Sequence, residues 1–309
     1  MSTAPQQPGS GATRVASPGA FTIGALKDPT RKQYLKMLVY GPPGAGKTSL
    51  LGSAVDVSEM RDVLVVTAEG GVMVLEDNDR ISNPDLIDTV KIDRIEQLQK
   101  IYEFLQHHCR MRDAGDLTGL AKLQQMVFGG DLATPEDTGL SRIRQFRTVI
   151  VDSLTEIEAQ NLAKILNMDS QGLDAGADLE VAGFAEFRRN NHIIQRIVRS
   201  LRDLPLHILI VCAQGYNQDE LKRYHYSPAL TGKLATQIQG FMDIVGWLQV
   251  GMADANDPTG AGPRRLFVQP QSGPKADAKN RMSAYKKPWF DNPTMAQIMR
   301  DTGFISKIA

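Results

Sequence analysis

The sequence predicts an α/β domain: a mostly parallel, twisted sheet flanked by helices, with an antiparallel hairpin extension toward the C-terminus. Three observations carry this. Short β-branched apolar runs alternate with helical patterns from Leu35 onward. These runs are continuous rather than alternating, as strands covered on both faces are. A chain of 309 residues, 42% of them hydrophobic, is also long enough to bury one large core.

In chain order, residues 1–20 are rich in Ser, Gly, Pro and Ala and read as a disordered tail, since they offer too little apolar surface to offset the entropy of ordering. The core is expected over 21–309. Its strands are predicted at Leu35 to Tyr40, Val63 to Thr67, Leu86 to Ile92, Thr148 to Val151 and Ile208 to Ala213. Helices are expected at Ile95 to His108, Leu154 to Leu166 and Phe184 to Leu201. A polar stretch then runs to Gly240. The apolar run Ile244 to Val250, a turn-rich segment and a strand at Leu266 to Val268 follow, and they read as a hairpin with a long loop. The segments near 110–147 and 169–183 are Gly- and Asp-rich and poorly periodic, as surface insertions are.

Composition narrows the function. The 35 basic and 35 acidic residues cancel, so any binding of nucleic acid must be local. The two cysteines, Cys109 and Cys212, lie in apolar segments without metal-ligand spacing and read as buried thiols. No apolar run approaches the ~20 residues that span a bilayer, and a cytoplasmic protein without a membrane partner is expected.

The segment Gly41-Pro42-Pro43-Gly44-Ala45-Gly46-Lys47-Thr48-Ser49 follows a predicted strand and opens a helix, which is the sequence and context of a phosphate-binding loop. Its glycines let backbone N–H groups turn around phosphate oxygens, and the helix aims its positive end at the same place. ATP with Mg²⁺ is the expected ligand. Lys47 is assigned to the β- and γ-phosphates and Thr48 to the metal. Asp152, ending the strand Thr148 to Val151, is assigned to Mg²⁺ directly or through water. The residue after it is Ser153 rather than a glutamate, so the base must come from elsewhere. Glu69, just past Val63 to Thr67, stands where carboxyl ends of parallel strands meet ligands. Gln214, after Ile208 to Ala213, could donate to the γ-phosphate and report its presence.

Gly41 to Ser49, Glu69, the Val-Ile-Val-Asp-Ser segment at Asp152 and Gln214, in that order, resemble the core of RecA-type ATPases. The likeness is closest to reduced, bacteriophage-encoded RecA-like proteins labelled AAA-family, of which some act in single-strand annealing and recombination. It covers about Leu35 to Arg281 and implies a RecA-like fold. By this resemblance the loop after Gln214 is the counterpart of a DNA-contacting loop, and Lys222, Arg223, Tyr224, Tyr226 and Lys233 would grip phosphates and stack bases of single-stranded DNA. Lys279 and Arg281 resemble a K-x-R pair that reaches a neighbour's active site, which implies a homo-oligomer, ring or filament. Phe21, before Gly24, resembles an aromatic anchor inserted into an adjacent subunit.

These implications describe a DNA-stimulated ATPase of recombination, annealing or replication, with a single-strand binding protein as a further partner. Two alternatives stay open at this level: a hexameric helicase-like or loader motor, and a small-molecule P-loop kinase. Stimulation by single-stranded DNA separates the kinase from the others.

Overall fold

The computed structural model describes residues 33–128, 143–167, 182–218, 220–251, 262–270 and 275–304. The predicted tail, Phe21 and most of the 169–183 segment lie outside the described residues.

The chain begins its sheet with β1 (Lys36–Gly41), followed by the loop and α1 (Lys47–Gly52). Next come β2 (Val63–Thr67), β3 (Ile87–Lys91), α2 (Ile95–Ala114) and α3 (Leu117–Phe128). Then follow β4 (Thr148–Asp152), α4 (Leu154–Ile165), α5 (Phe184–Arg202) and β5 (His207–Gln218). The C-terminal part holds β6 (Tyr224–Pro228), α6 (Leu234–Phe241), β7 (Ile244–Val250) and β8 (Arg264–Phe267). It closes with β9 (Lys275–Ala276), β10 (Lys279–Asn280), β11 (Trp289–Asp291) and α7 (Met295–Asp301).

The sheet runs β11-β8-β7-β1-β5-β4-β2-β3. From β7 through β3 every neighbouring pair is parallel, whereas β8, β10 and β11 join antiparallel at the C-terminal edge. The expected mostly parallel sheet with an antiparallel C-terminal extension is therefore present. Both of its faces are covered, and the period of two is visible strand by strand. In β1, Met37 and Val39 enter one core cluster, against Leu50 and Leu51 of α1 and Met295 and Ile298 of α7. Leu38 and Tyr40 enter the other, with Leu98 of α2, Ile157 of α4 and Ile194 and Val198 of α5. Each such fully buried aliphatic side chain contributes about 1.5–3 kcal/mol from removal of apolar surface from water.

Two readings are refined. The strand expected to stop at Ala213 continues to Gln218, because Gln214 to Gln218 pair antiparallel with Tyr224 to Pro228 and turn the polar stretch into a hairpin. Polar side chains hid this, since beyond Ala213 the strand leaves the covered sheet and needs no apolar face. Residues 110–128, read as part of an insertion, belong to α2 and α3, and Arg112 at the end of α2 is buried, donating to the carbonyls of Phe146 and Pro205.

A buried polar cluster ties α4 and α5 to the segment before α6. The Glu158 carboxylate accepts from the backbone N–H of Thr231 at 3.1 Å and from the Thr231 hydroxyl. Asn161 donates to Asn190 at 2.6 Å. Burial pushes the Glu158 carboxyl up from its ordinary value, and the Thr231 hydrogen bonds counter this.

Candidate active site

The parallel register decides what meets at the carboxyl edge of the sheet. Gly41 pairs with Ala213, and Thr67 pairs with Asp152, so the segments leaving β1, β2, β4 and β5 open onto one place. A cavity of about 420 Å³ lies there.

Glycine is needed at three positions of the loop, Gly44 with its φ of +74° among them. A Cβ on Gly41 would stand 2.3 Å from the Leu248 carbonyl oxygen of β7, so only glycine lets the chain leave β1 beside that strand. Gly46 has φ +89° at the entry to α1, a backbone conformation that side chains disfavour. The loop so formed lines the cavity with Pro43, Gly44, Gly46, Lys47, Thr48 and Ser49.

The Lys47 ammonium donates to the carbonyls of Gly41 and Pro42, both at 3.0 Å. Burial lowers its pKa, and the charges of Asp152 and Glu69 counter that shift. The Thr48 hydroxyl donates to Asp152 Oδ2 at 2.6 Å, joining the start of α1 to the end of β4. Asp152 is buried, and burial raises its carboxyl pKa against the Thr48 hydrogen bond and the Lys47 charge. Glu69 stands exposed at the rim, accepting a 2.5 Å hydrogen bond from the Ser153 hydroxyl. Ser153 also accepts from the backbone N–H of Glu156 at 3.3 Å and so caps α4. The Asp152–Ser153 peptide bond is cis.

The structure thus brings together Lys47, Thr48, Glu69 and Asp152. It also brings in Ser153 and Arg264, which sequence reasoning did not assign. Ser153 was visible as the residue replacing a glutamate, but its bond to Glu69 depends on strand register. Nothing in the sequence near Arg264 marks it, because its place follows from β8 lying two strands from β1.

The remaining candidates stand elsewhere. Gln214 Oε1 accepts from Trp247 Nε1 at 2.8 Å and Gln249 Nε2 at 3.0 Å, and Gln214 does not line the cavity. The side chains of Lys279 and Arg281 donate to backbone carbonyls at the C-terminal end of α6, Gln239 and Gly240 respectively, each at 2.9 Å. This is a favoured placement for cations at the negative end of a helix. Lys222, Arg223 and Tyr224 are exposed around the β5–β6 turn, and Tyr226 stacks on Trp247 with ring centroids 5.1 Å apart. Tyr216 packs edge-on against Tyr224 at 5.6 Å. Lys233, at the start of α6, lines a separate and larger cavity of about 760 Å³ with Phe187 and Arg188 of α5. Among the described residues that line it there is no carboxylate, and none of them belongs to the loop.

The model of the AAA domain family matches residues 33–282, which include every residue of this site. The chain belongs to the AAA domain family. With its phosphate-binding loop at Gly41 to Ser49, nucleotide binding follows from that membership. No curated protein matches the sequence. Among solved structures it is similar to the RadB recombinase, at 13% identity over 76% of this chain and 81% of the other, with a TM-score of 0.35. It is similar to flagellar accessory protein FlaH from Methanocaldococcus jannaschii at 9% identity, covering 82% of this chain and 83% of the other, with a TM-score of 0.41. A DnaB-like replicative helicase gives 13% identity over 84% of this chain and 54% of the other, with a TM-score of 0.41. Among the described residues, no helix is long and apolar enough to cross a membrane.

Residues of this AAA domain fit a divalent metal held jointly with a nucleotide. The Thr48 hydroxyl and Asp152 carboxylate present two oxygens within 2.6 Å of each other at the cavity. Among the described residues no group of three or more His, Cys, Asp or Glu could hold a metal alone, so phosphate oxygens and water must complete the shell.

Proposed function

We propose that this protein is a RecA-type ATPase that binds MgATP, hydrolyses it to ADP and phosphate, and works as a homo-oligomer on single-stranded DNA in phage recombination, annealing or replication. The observation that carries the hydrolytic reading is the convergence of Thr48, Asp152 and Glu69 on the loop of Lys47. Thr48 and Asp152 would hold Mg²⁺, which when bound neutralises charge on the β- and γ-phosphates. Lys47 exchanges its two carbonyl acceptors for phosphate oxygens. Glu69 orients a water toward the γ-phosphorus and accepts its proton as the new P–O bond forms. The bond to the β-phosphate oxygen breaks, and ADP leaves with that electron pair. Ser153 fixes the Glu69 carboxylate from the side, as a positioning residue.

The DNA reading is supported by the exposed basic and aromatic β5–β6 hairpin, where Lys222 and Arg223 suit phosphates and Tyr216 and Tyr224 offer ring faces. Gln214 accepts from Trp247, on which Tyr226 of the hairpin stacks, so these contacts join the base of the hairpin to β7. Lys279 and Arg281 would serve a neighbouring subunit by exchanging α6 carbonyls for phosphate.

The test is ATP hydrolysis by the purified chain at low salt, with and without single-stranded DNA, beside K47A and E69Q. Turnover stimulated by DNA and lost in both variants is expected. Lys47-dependent turnover indifferent to DNA would sink the DNA reading and leave the ATPase.

A further inference from the structure

The active-site cavity is lined by the carboxylates Glu69 and Asp152 with Ser153, and also by an arginine from β8, Arg264. Arg264 is delivered by a rigid strand. Its backbone N–H donates to Asn292 Oδ1 at 3.0 Å, its carbonyl accepts from Asn292 N–H at 2.7 Å, and β8 is flanked by β7 and β11. The guanidinium lies against the phosphate-binding loop: a Cβ built on Gly46 would stand 3.0 Å from Arg264 Nε and 3.3 Å from its Cζ. Yet among the described residues this guanidinium has no ion-pair or hydrogen-bond partner.

A second arginine, which does not line the cavity, stands on a neighbouring turn. Arg80 belongs to a turn tied to the loop, because Asn78 donates to the Ser49 hydroxyl at 2.9 Å and accepts from the Arg80 backbone N–H at 3.1 Å. Burial lowers the Arg80 pKa, and the Arg264 charge lowers it further. Among the described residues Arg80 likewise has no carboxylate partner. An arginine without a counterion among the described residues, held against a phosphate loop, is suited to an anion. Guanidinium is the cation that takes a phosphate through two parallel hydrogen bonds.

Which part of the ligand goes there follows from the other end. Thr48, Asp152 and Glu69 claim the metal and the terminal phosphate, which leaves other phosphate oxygens at the loop to Arg264, beside Gly46. Val74, 47% exposed, lines the cavity too and offers an apolar surface to a base.

We propose that Arg264, with Arg80, is a nucleotide-binding residue supplied by the same chain, gripping a phosphate of the bound nucleotide. The proposal rests on the P-loop reading above. Binding of fluorescent ADP to the full chain, followed by fluorescence anisotropy, tests it on R264Q, R80Q and K47A. R264Q keeps the length of the stem and removes the charge, and its unliganded melting temperature is expected to stay near the parent's. Its Kd for ADP should rise tenfold or more, with a smaller rise in R80Q. Parent-like affinity in both arginine variants, with K47A weakened, would overturn the proposal alone. Parent-like affinity in all three would overturn the P-loop reading itself.

Discussion

The carboxylate of Glu69 reaches the site by a single side-chain hydrogen bond from Ser153, and this makes two substitutions informative at the residue scale. E69Q keeps the shape and removes the proton acceptor, so nucleotide affinity should hold while kcat falls about 10²–10⁴-fold. S153A leaves the base present but unheld. Its kcat should drop by roughly an order of magnitude with KM little changed, and its unfolding free energy by about 1 kcal/mol, since the hydroxyl also caps α4. Equal kinetics in S153A and the parent would show that Ser153 only caps. Residues of this kind divide by how they can be read. Lys47, Thr48, Asp152 and Glu69 were legible because each sits within a motif or at a strand end, where local sequence sets position. Ser153 and Arg264 were not, since one depends on the Thr67–Asp152 register and the other on strand order. Lys279 and Arg281 show the converse: a recognisable spacing whose side chains, in one chain, satisfy the end of a helix.

Among the elements, α4 links the acidic end of the site to the segment that precedes α6. It starts at Ser153, and three turns contain Thr155, whose hydroxyl accepts from Ala213 N–H at 3.0 Å, as well as Glu158 and Asn161. Removing one member of the buried cluster strands the others. E158A should therefore lower the unfolding free energy by about 2–4 kcal/mol, read from urea denaturation, because Thr231 N–H and Asn190 lose their acceptor without access to water. A loss below 0.5 kcal/mol would mean the cluster finds other partners. The helices themselves were legible from apolar periodicity, with the predicted Leu154 to Leu166 and Phe184 to Leu201 matching α4 and α5 to within a residue. The β5–β6 hairpin was not, because its alternation lies in tyrosines and polar residues rather than in apolar ones.

For the whole molecule, the parallel sheet was readable because strands covered twice must be apolar throughout, while the strand order β8-β7-β1-β5 was not, being set by packing at long range. The same burial fixes how stability depends on pH. His207 accepts from Leu35 N–H and burial lowers its pKa to about 3; His108, packed on Phe104 and Phe146, is lowered by burial to about 4. Both are neutral in the fold and protonate in the unfolded chain near pH 6.5, so their stabilisation is complete above that value and is lost as pH falls toward 4 and 3. The loss approaches about 1.4 kcal/mol per pH unit for each ring. Asp152 and Glu158, with raised values, act in the opposite sense at lower pH. Urea midpoints should fall between pH 7 and pH 5, and a flat profile there would refute the assignment. The chain has two tryptophans, and one of them, Trp247, is 4% exposed, bonded to Gln214 and stacked on Tyr226. Its indole is thereby an intrinsic optical probe: rearrangement of the hairpin would change quenching by the tyrosine and the polarity at the indole N–H, so nucleotide or DNA engagement could be followed by emission without any added label.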